Sequence, residues 1–131
     1  MAAPVYLEEC AMKRYLIEFG MGADLHGGDC NTAAARALRD AVSHCCMAGI
    51  ADVCGITDPL KQMKLIIKVA VLYPEQIDLD ALYKASGFSP ENAEIEIAEG
   101  GMTSRGLHVE AYGEGDHIMI ANAVITVFVD V

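Results

Sequence analysis

No apolar run in this sequence approaches the roughly 18 residues that a membrane-crossing helix needs, which excludes a helical membrane span. The opening residues, MAAPVYLEECAMKRYL, have no basic stretch followed by an apolar one, so no signal peptide is expected. Basic residues are scarce. Nine Lys/Arg stand against 19 Asp/Glu for a formal charge of −10, which argues against a nucleic-acid backbone as partner. No Cys-x-x-Cys pair is present to suggest a zinc ribbon, and five cysteines, an odd number with Cys45 and Cys46 adjacent, make a poor disulfide framework. Free thiols fit a reducing, cytoplasmic setting. Also missing are the GK[ST] of a P-loop, GxSxG and HExxH, so no standard nucleotide, hydrolase or metalloprotease signature applies.

What is present is enough for one globular domain. The chain has 131 residues, 53% hydrophobic and 21% charged. A domain of that size buries about two-thirds of the surface its unfolded chain exposes, so it needs no disulfides. Charge is uneven: residues 1–74 hold seven Lys/Arg and eight Asp/Glu, residues 75–131 only Lys84 and Arg105 against eleven Asp/Glu. The acidic half reads as a solvated surface, with a cation site or a basic partner as alternatives.

Residues 1–12 lack periodicity and read as an N-terminal arm, leaving 13–131 as the domain. Alternation predicts strands over Lys13–Phe19, Met63–Tyr73, Ala93–Ala98 and His117–Val131. A glycine-rich bend is expected over Gly20–Asp29. A helix follows from Asn31 to Cys46, capped by Asp29 or Asn31, with Ala34, Leu38, Ala41, Val42 and Cys45 on its apolar stripe. A shorter helix, LDALYKAS, is bracketed by Asp78 and Gly87. Residues 50–61 read as a connection, and Glu99–Asp116 as a loop with five glycines.

The order is β-α-β-α-β-β, an α+β class. Right-handed crossovers make the first three strands parallel and put both helices on one face of a mixed four-stranded sheet, with the last strand returning antiparallel. Ile17, Ile67, Ile97 and Ile125 are expected to face the helices. Leu16, Glu18, Ile66, Lys68, Leu72, Ile120, Asn122, Val124 and Phe128 are expected on the opposite face, too apolar to be left to water. A second copy of the chain is the natural cover, so a homo-oligomer is expected. The topology resembles that of the small trimeric chorismate mutases, the imine deaminase (Rid) family and the C-terminal domain of tubulin-like GTPases. In the first two, the resemblance implies small-molecule clefts between subunits.

The stretch Gly20-Met21-Gly22-Ala23-Asp24-Leu25-His26-Gly27 carries the chemistry. It is not a dinucleotide fingerprint, because Leu25 stands where the third glycine belongs. Gly20, Gly22 and Gly27 before a helix N-terminus could cradle an anion or a carbonyl. Asp24 and His26, two apart, could share a cavity as a general-base dyad. They could also begin a metal sphere completed by Asp29, Cys30, His108, Asp116 or His117, or simply close a turn. Glu18 and Lys68 read as an intersubunit ion pair or as polar anchors in an interface cleft, and Glu99 and Arg105 as further ligand contacts.

This stretch resembles the GxGxDxHG signature near the N-terminus of an uncharacterised family of conserved proteins of bacteria and plants. The resemblance runs from about Lys13 to the C-terminus and implies no particular activity or cofactor. The sequence therefore predicts a small-molecule site at Gly20–Gly27, with hydrolase or isomerase chemistry, or else an oligomeric scaffold in which the bend is structural.

Overall fold

The structure is a computed structural model that describes residues 12–113 and 115–131. The arm expected over residues 1–12 falls almost wholly outside them. Strand β1 spans Lys13–Asp24, β2 Met63–Val71, β3 Ala93–Glu99, β4 Met102–Arg105 and β5 His117–Val129. Helix α1 spans Cys30–Val42, α2 Ala48–Asp52, α3 Pro59–Gln62 and α4 Leu79–Ser86. The sheet has five strands rather than four. Its order is β1-β5-β2-β3, with β4 paired to the start of β5. β5 runs antiparallel to both β1 and β2, and β2 runs parallel to β3, so the first three long strands share one direction as expected. The short β4 and the helices α2 and α3 were expected as loop. Four residues of MTSR, and a connection punctuated by Gly55 and Pro59, carry too little periodicity to mark them.

Helix α1 forms where alanine, the best helix former, recurs at 33, 34, 35, 37 and 41. Asp29 caps it, accepting from Asn31 N at 3.1 Å. The helix stops at Val42, earlier than the expected Cys46. Ser43 turns both its N–H and its hydroxyl onto Asp40 O, at 3.2 and 3.0 Å, and this local bonding ends the helical ladder. Val42 and Cys45 are consequently exposed, while Cys30, Ala33, Ala34, Ala37, Leu38 and Ala41 are buried. Helix α4 begins at the Asp78 cap and ends on a left-handed Gly87, as its sequence indicates.

The core lies between the helices and one sheet face, where Ile67, Val69 and Val71 of β2 meet Ala121, Ala123, Ile125 and Val127 of β5. Here β1 departs from expectation twice. It does not bend at Gly20 but runs straight through the glycines to Asp24. Its faces are also the reverse of those expected. Leu16, Glu18, Gly20 and Gly22 point toward the helices, and Ile17, Phe19 and Met21 point away into the open. The cause is volume. A Cβ on Gly20 would lie 2.5 Å from Ala41 N, and one on Gly22 would fall on Ala37 N and Ala33 O. The helix backbone rests directly on β1, and only glycine leaves room for it. Phe128 also departs from expectation: it lies in the register of the open face but is only 8% exposed.

Gly22→Ala should therefore destabilise the fold by about 1–3 kcal/mol or more, because the methyl meets helix backbone that cannot rotate aside. Urea unfolding measures it, and a midpoint equal to that of the parent would refute the close approach.

Candidate functional site

Asp24, the last residue of β1, accepts the N–H of Asp29 on Oδ2 at 2.8 Å. The carboxylate thus folds the five-residue link to α1 against the end of the strand. Gly27 sits beneath it, since a Cβ there would approach Asp24 Oδ2 to 3.0 Å. Gly27 also bridges to His117 at the start of β5. Asp29 in turn accepts from Thr32 Oγ1 at 2.7 Å. Asn31 ties the same helix end to the chain leading into α4, donating to Gln76 O at 2.9 Å and accepting from Asp78 N at 2.8 Å. At the N-terminus of α1 the Asn31 N–H is thus capped by the Asp29 side chain, and Gly20 and Gly22 lie along the helix rather than in front of it.

His26 faces the other way. Its ring is half-buried against Tyr112, with ring centroids 5.3 Å apart and planes tilted by 39°. Its Nδ1 lies 3.3 Å from the carbonyl oxygen of Leu107. A carbonyl only accepts, so Nδ1–H donates, and in the neutral ring the lone pair is then on Nε2. Two more imidazoles stand at this end of the sheet. His108 Nδ1 donates to Gly115 O at 3.4 Å, while His117 Nδ1 lies 2.8 Å from Asp116 Oδ1 as a close charge contact. Arg105 Nε stands 3.6 Å from Asp116 Oδ2, leaving the rest of an exposed guanidinium free to bind. Three of the four histidines thus gather around the 106–116 loop, each with its Nδ1 beside an oxygen. No three His, Cys, Asp or Glu groups among the described residues are close enough together to hold a metal ion.

The expected site residues divide. Asp24, His26, Gly27 and Arg105 meet at this corner. No hydrogen bond joins Asp24 to the His26 ring among the described residues. Gly20 and Gly22 lie under α1, and Glu99 ends β3, which β5 and β2 separate from β1. Glu18 and Lys68 are not partners, because they project from opposite faces of the sheet. Glu18 is 9% exposed and accepts a hydrogen bond from Cys45 Sγ. That bond, with desolvation and the carboxylate's charge added, pushes the Cys45 thiol above its ordinary range. Tyr112 and the Leu107 carbonyl were not legible as site groups. The signal was the placing of His108 and His117 on either side of one glycine-rich loop.

A family model described as "Conserved hypothetical protein (Lin0512_fam)" matches residues 14–127. The chain belongs to this family. No curated protein matches it. Among solved structures it is similar to an FtsZ-like protein of unknown function from Nostoc punctiforme PCC 73102. That similarity is 33% identity over 92% of this chain and 98% of the other, with a TM-score of 0.77. The Lin0512 fold is thus the mixed α+β sheet described above, and no helix among the described residues is long and apolar enough to cross a membrane.

Two measurements follow from the electrostatics. The Thr32 hydroxyl, with the backbone N–H groups of Asn31 and Thr32, holds the Asp29 carboxyl below its ordinary 3.8. A depressed native value means a stabilisation fully present above pH 3.8 that is lost as pH falls through the lowered native value. Asp29→Ala should cost about 1 kcal/mol at pH 7. The gap from the parent in urea melts should narrow below pH 3.8; a gap constant with pH would contradict the charged cap. Separately, Glu18→Gln should speed iodoacetamide labelling of Cys45 near pH 8, read by peptide mass spectrometry, whereas an unchanged rate would exclude the Glu18 contact.

Proposed function

We propose that this Lin0512-family protein is a cytoplasmic small-molecule-binding protein, with proton-transfer chemistry of the hydrolase or isomerase kind, centred on His26. The supporting observation is the His26 ring itself. Its Nδ1 is engaged by the Leu107 carbonyl and its face by Tyr112, so Nε2 is held as a base at a fixed place. In this reading Arg105 supplies the charge that holds a carboxylate or phosphate of the substrate, and the Asp116–His117 pair supplies a second oriented imidazole. Asp24 positions His26 by fixing the turn that carries it, and Gly27 keeps that turn narrow. Cytoplasmic placement is supported by Cys30, Cys45, Cys46 and Cys54, all free thiols.

A scaffold reading has its own support, since Gly20, Gly22 and Asp24 all have complete structural explanations. His26 separates the two readings, because the scaffold reading needs only its bond to the Leu107 carbonyl and its contact with Tyr112, and makes no use of Nε2.

The test is a thermal-shift screen of the parent against small carboxylates and phosphate monoesters, repeated on His26→Gln and Arg105→Gln. Both variants should melt with the parent in the absence of ligand and lose the shift that the parent shows. Any turnover found should fall by about 10²–10⁴ in His26→Gln, as for a lost general base. If no compound shifts the parent and His26→Gln alone lowers its melting temperature by many degrees, the scaffold reading replaces this one.

A further inference from the structure

The sheet face opposite the helices carries Phe19 at 76% exposure, Met21 at 54%, Ile17 at 49% and Val124 at 40%. The pairing register sets these side chains in rows across the strands. Phe19 stands beside Val124, Val124 beside Lys68, and Lys68 beside Glu96. One row along, Ile17 stands beside Thr126, Thr126 beside Ile66, and Ile66 beside Glu94. The face is therefore largely apolar over β1 and β5, apart from Asn122 and Thr126, and carries both signs of charge over β2 and β3, where Lys68 stands beside Glu96 and Ile66 beside Glu94.

We infer that this face is the contact surface between two copies of the chain. A single-sign patch would select an unlike partner, whereas this one complements itself. A two-fold axis lying across the strands sets the apolar half on its equivalent. It also sets β2 over its equivalent, so that the glutamate-bearing β3 of the other copy lies one strand, about 4.8 Å, to the side of Lys68 and within reach of its long side chain. The area suffices. Four strands about 4.8 Å apart, with about nine residues at roughly 3.3 Å each, span a face of about 19 by 30 Å. That is about 570 Å², or about 630 Å² with β4 added, at the lower end of standard interfaces of ~800 Å² per partner. Edge-to-edge association through β1 is obstructed, because Asp40 accepts the Met21 N–H at 2.9 Å and Arg36 donates to Ala23 O at 2.7 Å. The helices thus protect the β1 edge and leave the face open.

Light scattering after size exclusion at micromolar concentration should return a dimer. Phe19→Glu, at an exposed position with no core contact to lose, should yield a monomer with unchanged circular dichroism. The dimer dissociation constant should rise roughly 100-fold or more, since the substitution enters the contact twice. Lys68→Glu and Glu96→Lys should each weaken the dimer, and mixing the two variants should restore a heterodimer by pairing each new charge with its opposite. A monomeric parent would overturn the inference, as would a dimer indifferent to Phe19→Glu, or mixed charge variants that stay apart. Co-purification of an unlike protein on this face in place of a second copy would also overturn it.

Discussion

The seating of helix α1 on strand β1 without intervening side chains determines the rest of the structure. Gly20 and Gly22 on the strand meet Ala33, Ala37 and Ala41 on the helix, so backbone rests on backbone. Three consequences follow. The even-numbered residues of β1 must face the helices, which sends Ile17, Phe19 and Met21 to the open side. The helix comes near enough to the strand edge for Arg36 and Asp40 to engage β1 backbone groups. The link from Asp24 to Asp29 must turn sharply, and Asp24 makes that turn by accepting the Asp29 N–H. The motif GMGADLH is thus two devices in series: small residues for a close approach, then a carboxylate that closes the turn and delivers His26.

That same turn connects architecture to chemistry. His26 leaves β1 on the side away from α1 and meets the 106–116 loop, which is anchored through β4 and the start of β5. The loop supplies Leu107, Tyr112 and the Asp116 carboxylate, each engaging a histidine ring. An imidazole with one nitrogen fixed has one tautomer, and one tautomer has a single basic position.

Much of this was legible in the sequence. The strict alternation of Met63–Val71 and Met119–Val129 reports their pairing and their buried face, because every second residue of both is apolar. The Asp78 and Gly87 brackets of α4 are local chemistry and appear as such. β1 was misread because glycine carries no hydropathy signal. With Gly20 and Gly22 on the inner face, the larger Ile17, Phe19 and Met21 look like the core side when they are the open side. β4 and the histidine corner depend on contacts across β5 between residues far apart in the chain, which no local pattern encodes. The same holds for the separation of Glu18 from Lys68: a reversal of one strand's faces is enough to undo that pairing.

The claim on which the functional account rests is that the Leu107 carbonyl, by accepting Nδ1–H, fixes the neutral His26 ring in the tautomer whose lone pair is on Nε2. Long-range ¹⁵N–¹H correlation spectra of the imidazole rings, recorded with the ring neutral and assigned through His26→Gln, read the tautomer directly. The account predicts a protonated Nδ1 and a bare, pyridine-like Nε2 for His26. A ring protonated on Nε2, or one averaging freely between the two tautomers, would contradict it.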